Sequence, residues 1–221
     1  MERRPYISFG LGRSFLIGDS FAGPDDSLTL AKPGLEIMSE ASIAFTPFVS
    51  FKFSGGGAFN SIDLLAYEKK LRSDLSARNF SGRYEATNGG WYTGYYLFGI
   101  LFSLPFKKVT LDFDIQAGPT LSIKFPSELT LYHANGVTEK TYKARGIGWD
   151  LGAGYGSCLR YTLSKKIALY ANTKMLLAEP KMKTKVEHLY NSNLLTSTTE
   201  KYKQWLIYWT VGFGIAYQVV R

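Results

Sequence analysis

VTLDFDIQAGPTLSIKF, residues 109–125, alternates without a break. Val109, Leu111, Phe113, Ile115, Ala117, Leu121, Ile123 and Phe125 fall on one face, with Pro119 among them. Thr110, Asp112, Asp114, Gln116, Gly118, Thr120, Ser122 and Lys124 fall on the other. Successive side chains of a strand point to opposite sides, so this is one long strand with an oily face and a wet face. About ten tilted residues cross a bilayer as a strand, and this run is longer. The segments 146–163, 167–177 and 204–219 repeat the pattern.

No run approaches the eighteen or so consecutive apolar residues of a transmembrane helix, although 45% of the chain is hydrophobic and 15% aromatic. A membrane role therefore has to use strands. Lone strands leave backbone groups unpaired in hydrocarbon, whereas a closed barrel pairs them all. The 221 residues suit one such barrel as a single domain, 1–221. The net charge of +8 fits anionic lipid or plain solubility. Basic and aromatic residues do not interleave on one polar face, so nucleic acid is set aside. The single cysteine, Cys158, permits no intrachain disulfide and reads as an inert inward residue. Met-Glu-Arg-Arg-Pro runs straight into a strand-like segment, so the chain reads as mature or as carrying an engineered start.

Working outward from 109–125, four earlier strands are expected at 6–14, 35–45, 49–58 and 91–104, giving eight in all. Tight turns fall at 46–48, 105–108 and 164–166. Long connections fall at 19–34, 61–90, 126–145 and 179–203. The expected fold is all-β, an eight-stranded antiparallel up-and-down transmembrane barrel with four long outer loops and three short periplasmic turns. Both termini would be periplasmic in the bacterial outer membrane. Ser61 is expected to cap a short helix carrying Leu64, Tyr67, Leu71 and Leu75, which packs on the rim or meets an envelope partner. The 109–125 strand is expected to continue past Pro126 into 129–132, and there Asn135-Gly136 predicts a type I′ hairpin turn, with the chain returning through 137–145.

Three observations put the oily face outside. On the last four strands that face carries no ionised residue, whereas the opposite face carries Asp112, Asp114, Lys124, Asp150, Arg160 and Lys174. Glycines crowd the wet face of 146–163, as expected where long inward neighbours need room. Trp149 and Tyr161, and Trp209 and Tyr217, stand near opposite ends of their strands, as interface aromatics do.

Eight strands leave an interior just wide enough for side chains. Glu36, Glu40, Asp112, Asp114 and Asp150 against Lys52, Lys124, Arg160 and Lys174 then read as a mutually paired charge network and a closed bore. A narrow pore is the weaker alternative. Catalysis is not expected: His133 and His188 lie in outer loops, and Asp112 and Asp114 have cations nearby. No metal spacing or cofactor motif is present. Lys181, Lys183, Lys185, Lys201 and Lys203 cluster near the outer end of the last two strands, where they could meet lipopolysaccharide phosphates or simply solvate the loop.

The chain resembles the small outer-membrane barrels of the OmpA/OmpX type, and among them the "outer membrane protein beta-barrel" families of Bacteroidota. The segments YTLSKKIALYANTK (161–174), IGWDLGAGYG (147–156) and WTVGFGIAYQ (209–218) carry the resemblance. It implies either a porin-like or structural surface barrel acting alone, or a subunit of a PorT- or PorG-like type IX secretion or outer-membrane assembly complex. A lipid-modifying enzyme is a weaker implication. The resemblance departs at the end of the chain, Gln218-Val219-Val220-Arg221, where such barrels often carry a terminal aromatic; either Tyr217 substitutes for it or the chain is recognised differently.

Overall fold

The computed structural model describes residues 5–17, 31–77, 80 and 82–219. In chain order the elements are β1 (Tyr6–Ile17), β2 (Gly34–Ala44), β3 (Val49–Asn60), α1 (Leu64–Ala77), β4 (Arg83–Asn88), β5 (Trp91–Phe106) and β6 (Val109–Lys124). There follow β7 (Ser127–Tyr132), β8 (Thr138–Lys143), β9 (Gly146–Thr162), β10 (Ile167–Ala178), β11 (Lys181–Tyr190), β12 (Asn193–Lys203) and β13 (Leu206–Gln218).

β1, β2, β3, β5, β6, β9, β10 and β13 are each paired antiparallel to the next, and β13 pairs back onto β1, so the ring closes. The chain is thus an eight-stranded up-and-down β-barrel. Its stagger can be walked residue by residue. Tyr6 is opposite Ser42, then Lys52, Gly99, Gln116, Gly154, Leu176 and Tyr208, which returns to β1 at Leu16. One circuit therefore displaces the register from residue 6 to residue 16 of the same strand. Such a stagger tilts the strands by about 35–45° and sets a bore that side chains fill.

Parity then decides every side chain. On β6 Asp112, Asp114 and Gln116 are buried inside while Phe113 and Ile115 are exposed outside. On β13 Phe213 is 70% exposed, and on β9 Leu151 is 78% exposed. A continuous outward belt of this kind, built from Phe9, Ile37, Phe98, Ile115 and Ile215 among others, is stable only against hydrocarbon.

The tight turns use side chains as struts. Thr46 Oγ1 accepts from Val49 N–H at 2.9 Å, and Ser164 Oγ accepts from Ile167 N–H at 3.1 Å. The described chain ends meet at this same turn end, where Val219 N–H donates to the Pro5 carbonyl at 2.8 Å.

The connections 61–90 and 179–203 differ from the expected polar loops, whereas 126–145 carries the expected hairpin, as β7 paired with β8. The first long connection falls mainly on 18–30, outside the described residues. The other three carry strands, because their Thr, Tyr, Val and Lys alternate as the barrel strands do. β4, β7, β8, β11 and β12 pair in that order into a sheet that raises the barrel wall beyond β6, β9, β10 and β13. β10 and β11 face β12 and β13 in one unbroken register from Ile167–Tyr217 to His188–Thr196.

Two local expectations are corrected. The turn at Asn135-Gly136 is not type I′: Gly136 alone has positive φ, at 81°, and its N–H donates to the His133 carbonyl at 3.0 Å. The left-handed pair sits at the other hairpin, Asn191 and Ser192, with φ of 46° and 66°. Asp63, and not Ser61, caps α1: its Oδ1 accepts from the N–H groups of Leu65 at 3.1 Å and Ala66 at 3.3 Å. Leu75 is buried, and Tyr67 packs on the apolar cluster inside the rim.

The Ala66 N–H, with Lys32 and the Leu65 N–H, holds the Asp63 carboxyl below the usual carboxylate range. With the folded value depressed, the cap is fully present above the unfolded value and lost as pH falls through the lowered one. Amide exchange over residues 64–77, scaled for intrinsic rates, should therefore accelerate on acidification, and the Asp63→Asn variant should not show that step.

Candidate functional site: the barrel interior and the outer rim

The interior fills in two zones. The zone nearer the turns is ionic. Lys52 Nζ on β3 lies 2.8 Å from Asp114 Oδ2 on β6 and 2.9 Å from Glu40 Oε1 on β2. Lys174 Nζ reaches the same Glu40 oxygen from β10 at 3.3 Å. Arg160 Nη2 donates to Asp112 Oδ2 at 2.7 Å, and Ser103 Oγ donates to the other Asp112 oxygen. Arg160 also stacks over the Tyr6 ring, 4.3 Å from its centroid. Glu36 accepts from the Tyr95 hydroxyl at 2.6 Å. These ions come from several strands, so the cluster ties the ring across its bore. Charges taken out of water are tolerable only when paired and hydrogen-bonded in this way.

The zone nearer the loops is apolar and aromatic. Leu16, Trp91, Tyr95, Leu97, Leu176, Met182, Leu206 and Tyr208 pack into one buried cluster. The expectation of a purely ionic plug missed it. Its signal was present in residues 91–104, which are apolar on both faces, as a strand buried on both faces reads. The inward glycines serve this cluster more than the ions. A Cβ on Gly154 would meet Leu97 Cδ1 at 3.0 Å, and one on Gly148 would meet Met182 Sδ at 2.5 Å. Gly156 is set against a charge, with Asp114 Oδ2 3.1 Å from its Cβ position.

Three residues expected in the charge network stand apart from this cluster, the first being Glu36, which is held by the neutral Tyr95 hydroxyl. Asp150 is half-buried at the rim, and its Oδ2 accepts from the Glu179 backbone N–H at 2.6 Å. Lys124 is buried higher in the bore, 5.9 Å from the Trp91 ring centroid. Cys158 is buried among Tyr6, Leu101, Ala168, Tyr170 and Ala216.

All four expected interface aromatics point outward. Trp149 and Trp209 lie toward the loop end, and Tyr161 and Tyr217 toward the turn end. Trp209 Nε1–H donates to Thr173 Oγ1 at 2.7 Å, and its ring lies 5.3 Å from that of Phe15. One outward residue escaped the sequence reading. Arg13 continues the series Ile7, Phe9, Leu11, and is the single ionised side chain on the outward face of the described barrel strands. An outward cation costs about 2–4 kcal/mol at a bilayer midplane and about 0–1 kcal/mol near its interface.

The basic cluster is a lattice. Lys181 sits directly opposite Lys203, and Lys183 opposite Lys201; Lys185 faces Thr199. Met182, Thr184 and Val186 point inward, so the lysines share the outer face. The ladder begins in the row of Trp149, which pairs with Lys181. Lys185 is ion-paired to Glu187 at 2.5 Å and Lys203 to Glu179 at 3.3 Å. Like charges directly opposite one another destabilise a strand pair, so this arrangement gains from an external anion.

His133 Nε2 lies 3.4 Å from Glu139, and His188 Nδ1 lies 3.1 Å from Thr141 Oγ1, both on the raised sheet. Neither contact forms a nucleophile–base–carboxylate relay. Among the described residues no cluster of three or more His, Cys, Asp or Glu could hold a metal.

No family profile and no curated protein sequence matches the chain. Its fold is similar to that of a major outer membrane protein from Thermus thermophilus, with TM-score 0.53 and 12% identity, covering 98% of this chain and 100% of that one. It is also similar to Neisserial surface protein A, NspA, with TM-score 0.50 and 8% identity over 97% of each chain. The likeness is one of fold, and both are outer-membrane or surface barrels.

Removing one partner of a buried ion cluster strands the others. Lys52→Met should lower stability in micelles by about 3–5 kcal/mol, read from urea midpoints. Lys183→Met, on the wet outer face, should stay within about 0.5 kcal/mol of the parent.

Proposed function

We propose that the protein is a non-enzymatic integral barrel of the bacterial outer membrane, with both termini periplasmic and its bore closed. The raised sheet stands at the cell surface, and its lysine ladder contacts lipopolysaccharide phosphates. The observation that carries this reading is the filled bore inside an apolar belt: an ionic zone and an aromatic zone are stacked in series along it. Short turns at one end and long connections at the other support the orientation, since outer-membrane barrels keep short turns on the periplasmic side. The lysine ladder supports the lipid contact by its height, beginning in the row of the outward Trp149.

A second reading makes the barrel a subunit of an envelope machine, as the resemblance to PorT- and PorG-like families implies. It is favoured by β12, which among the described residues pairs with β11 alone and exposes Leu194 and Leu195 near its tip. An open strand edge is a template for another chain. The helix in the 61–90 connection offers less, since its Leu75 is buried and its Tyr67 packs on the apolar cluster at the rim.

Planar-bilayer recording of the purified protein should give no steady large conductance; a stable open level would defeat the closed bore. A cysteine placed at Leu195 should react with an impermeant maleimide on intact cells, and one placed at Lys107 only after the outer membrane is permeabilised. Replacing Lys181, Lys183, Lys201 and Lys203 together by Gln should weaken lipopolysaccharide binding, and the remaining difference should shrink as salt rises. A stoichiometric companion in mild detergent would move the weight to the second reading.

A further inference from the structure

Arg13 stands between two recesses that lie in line along β1. Its cross-strand partners are Val211 on β13 and Leu35 on β2. Two residues nearer the turn end, the same outward row holds Leu11, Phe213 and Ile37. With Phe9, Ile215 and Leu169 these wall an outward apolar groove of about 870 Å³. Its floor runs along the β1–β13 seam, where Gly10 faces Gly214. Toward the loop end, Arg13 itself lines a smaller recess of about 330 Å³ with Pro33, Gly34, Leu35, Phe59 and Ser61, and this one has polar walls as well as apolar ones.

An apolar groove, a cation and a small polar recess in sequence match an amphiphile: acyl chain, phosphate and headgroup. We propose that this seam binds a phosphate-bearing membrane lipid, with one acyl chain along the groove and the phosphate on the Arg13 guanidinium. The guanidinium fork suits two phosphate oxygens, and it keeps its charge where an ammonium would more readily lose it. The groove faces hydrocarbon, which selects a lipid over a soluble ligand. A symmetric contact with a second copy through this face would bring Arg13 toward its own counterpart, like charge against like. The inference needs the belt to face lipid, and needs neither the closed bore nor the orientation proposed above.

The test uses the full chain, delipidated in dodecyl maltoside and titrated with lysophosphatidylglycerol, which carries one acyl chain and one phosphate. Native mass spectrometry counts the molecules retained. One saturable adduct is expected. Glycerol 3-phosphate, lacking the chain, and monoacylglycerol, lacking the phosphate, should not be retained. Arg13→Gln should weaken retention about tenfold, the loss of a charge-assisted contact, and Ile37→Trp should weaken it by filling the groove. Arg13→Lys should fall between parent and Arg13→Gln. Each variant is checked for the folded band of an unboiled barrel on a gel, so a folding failure is separated from a binding failure. Equal retention by parent and Arg13→Gln, equal retention of glycerol 3-phosphate, or a dimer in place of the adduct would overturn the proposal.

Discussion

Backbone amides in hydrocarbon have no water to bond to, so the pairing of β1 with β13, which closes the ring, is the contact on which the rest depends. Closure fixes the stagger, the stagger fixes the tilt, and the tilt fixes a bore that only side chains can fill. Parity then leaves each residue one of two solvents. The inward set takes its partners from within the bore. The outward set must be apolar, apart from positions near a membrane surface, and Arg13 is the exception that marks such a position.

Inside, the two zones solve different problems. The ionic zone joins strands far apart around the ring through Lys52, Glu40, Asp114 and Lys174, so removing one member leaves others charged and unpaired. The aromatic zone gains from burial and from close packing against glycines. A cluster of this kind at the loop end and an ion cluster beneath it together fill the tube with two different kinds of side chain.

The barrel was legible because period-two alternation is strong over long strands and because ionised residues keep to one face of it. Asp112, Asp114, Arg160 and Lys174 could be placed inward from that rule alone. Three things were not legible. Trp91, Tyr95 and Leu97 lie on a strand apolar on both faces, so alternation could not sort them. Asp150 obeys the parity of the network but lies too near the rim to join it, and height along a tilted strand depends on the stagger, which no single segment encodes. Among the long connections the Asn135-Gly136 hairpin was legible, but β4, β11 and β12 were masked by their many polar and lysine residues, although Met182, Thr184 and Val186 line the inner face of β11.

The unbroken register from β10 through β11 and from β12 through β13 has a mechanical meaning. The hairpin that ends at Asn191 and Ser192 keeps the pairing of the wall below it as far as His188–Thr196, across a short non-strand step at 179–180 and 204–205 where Gln204 N–H donates to the Pro180 carbonyl. Tension on that tip, directed along the strands, would load the ladders of β10 with β9 and β13 with β1 all together and lengthwise. Sheets resist that geometry better than peeling one bond at a time. A load on the raised wall is thus shared with its neighbours in the barrel.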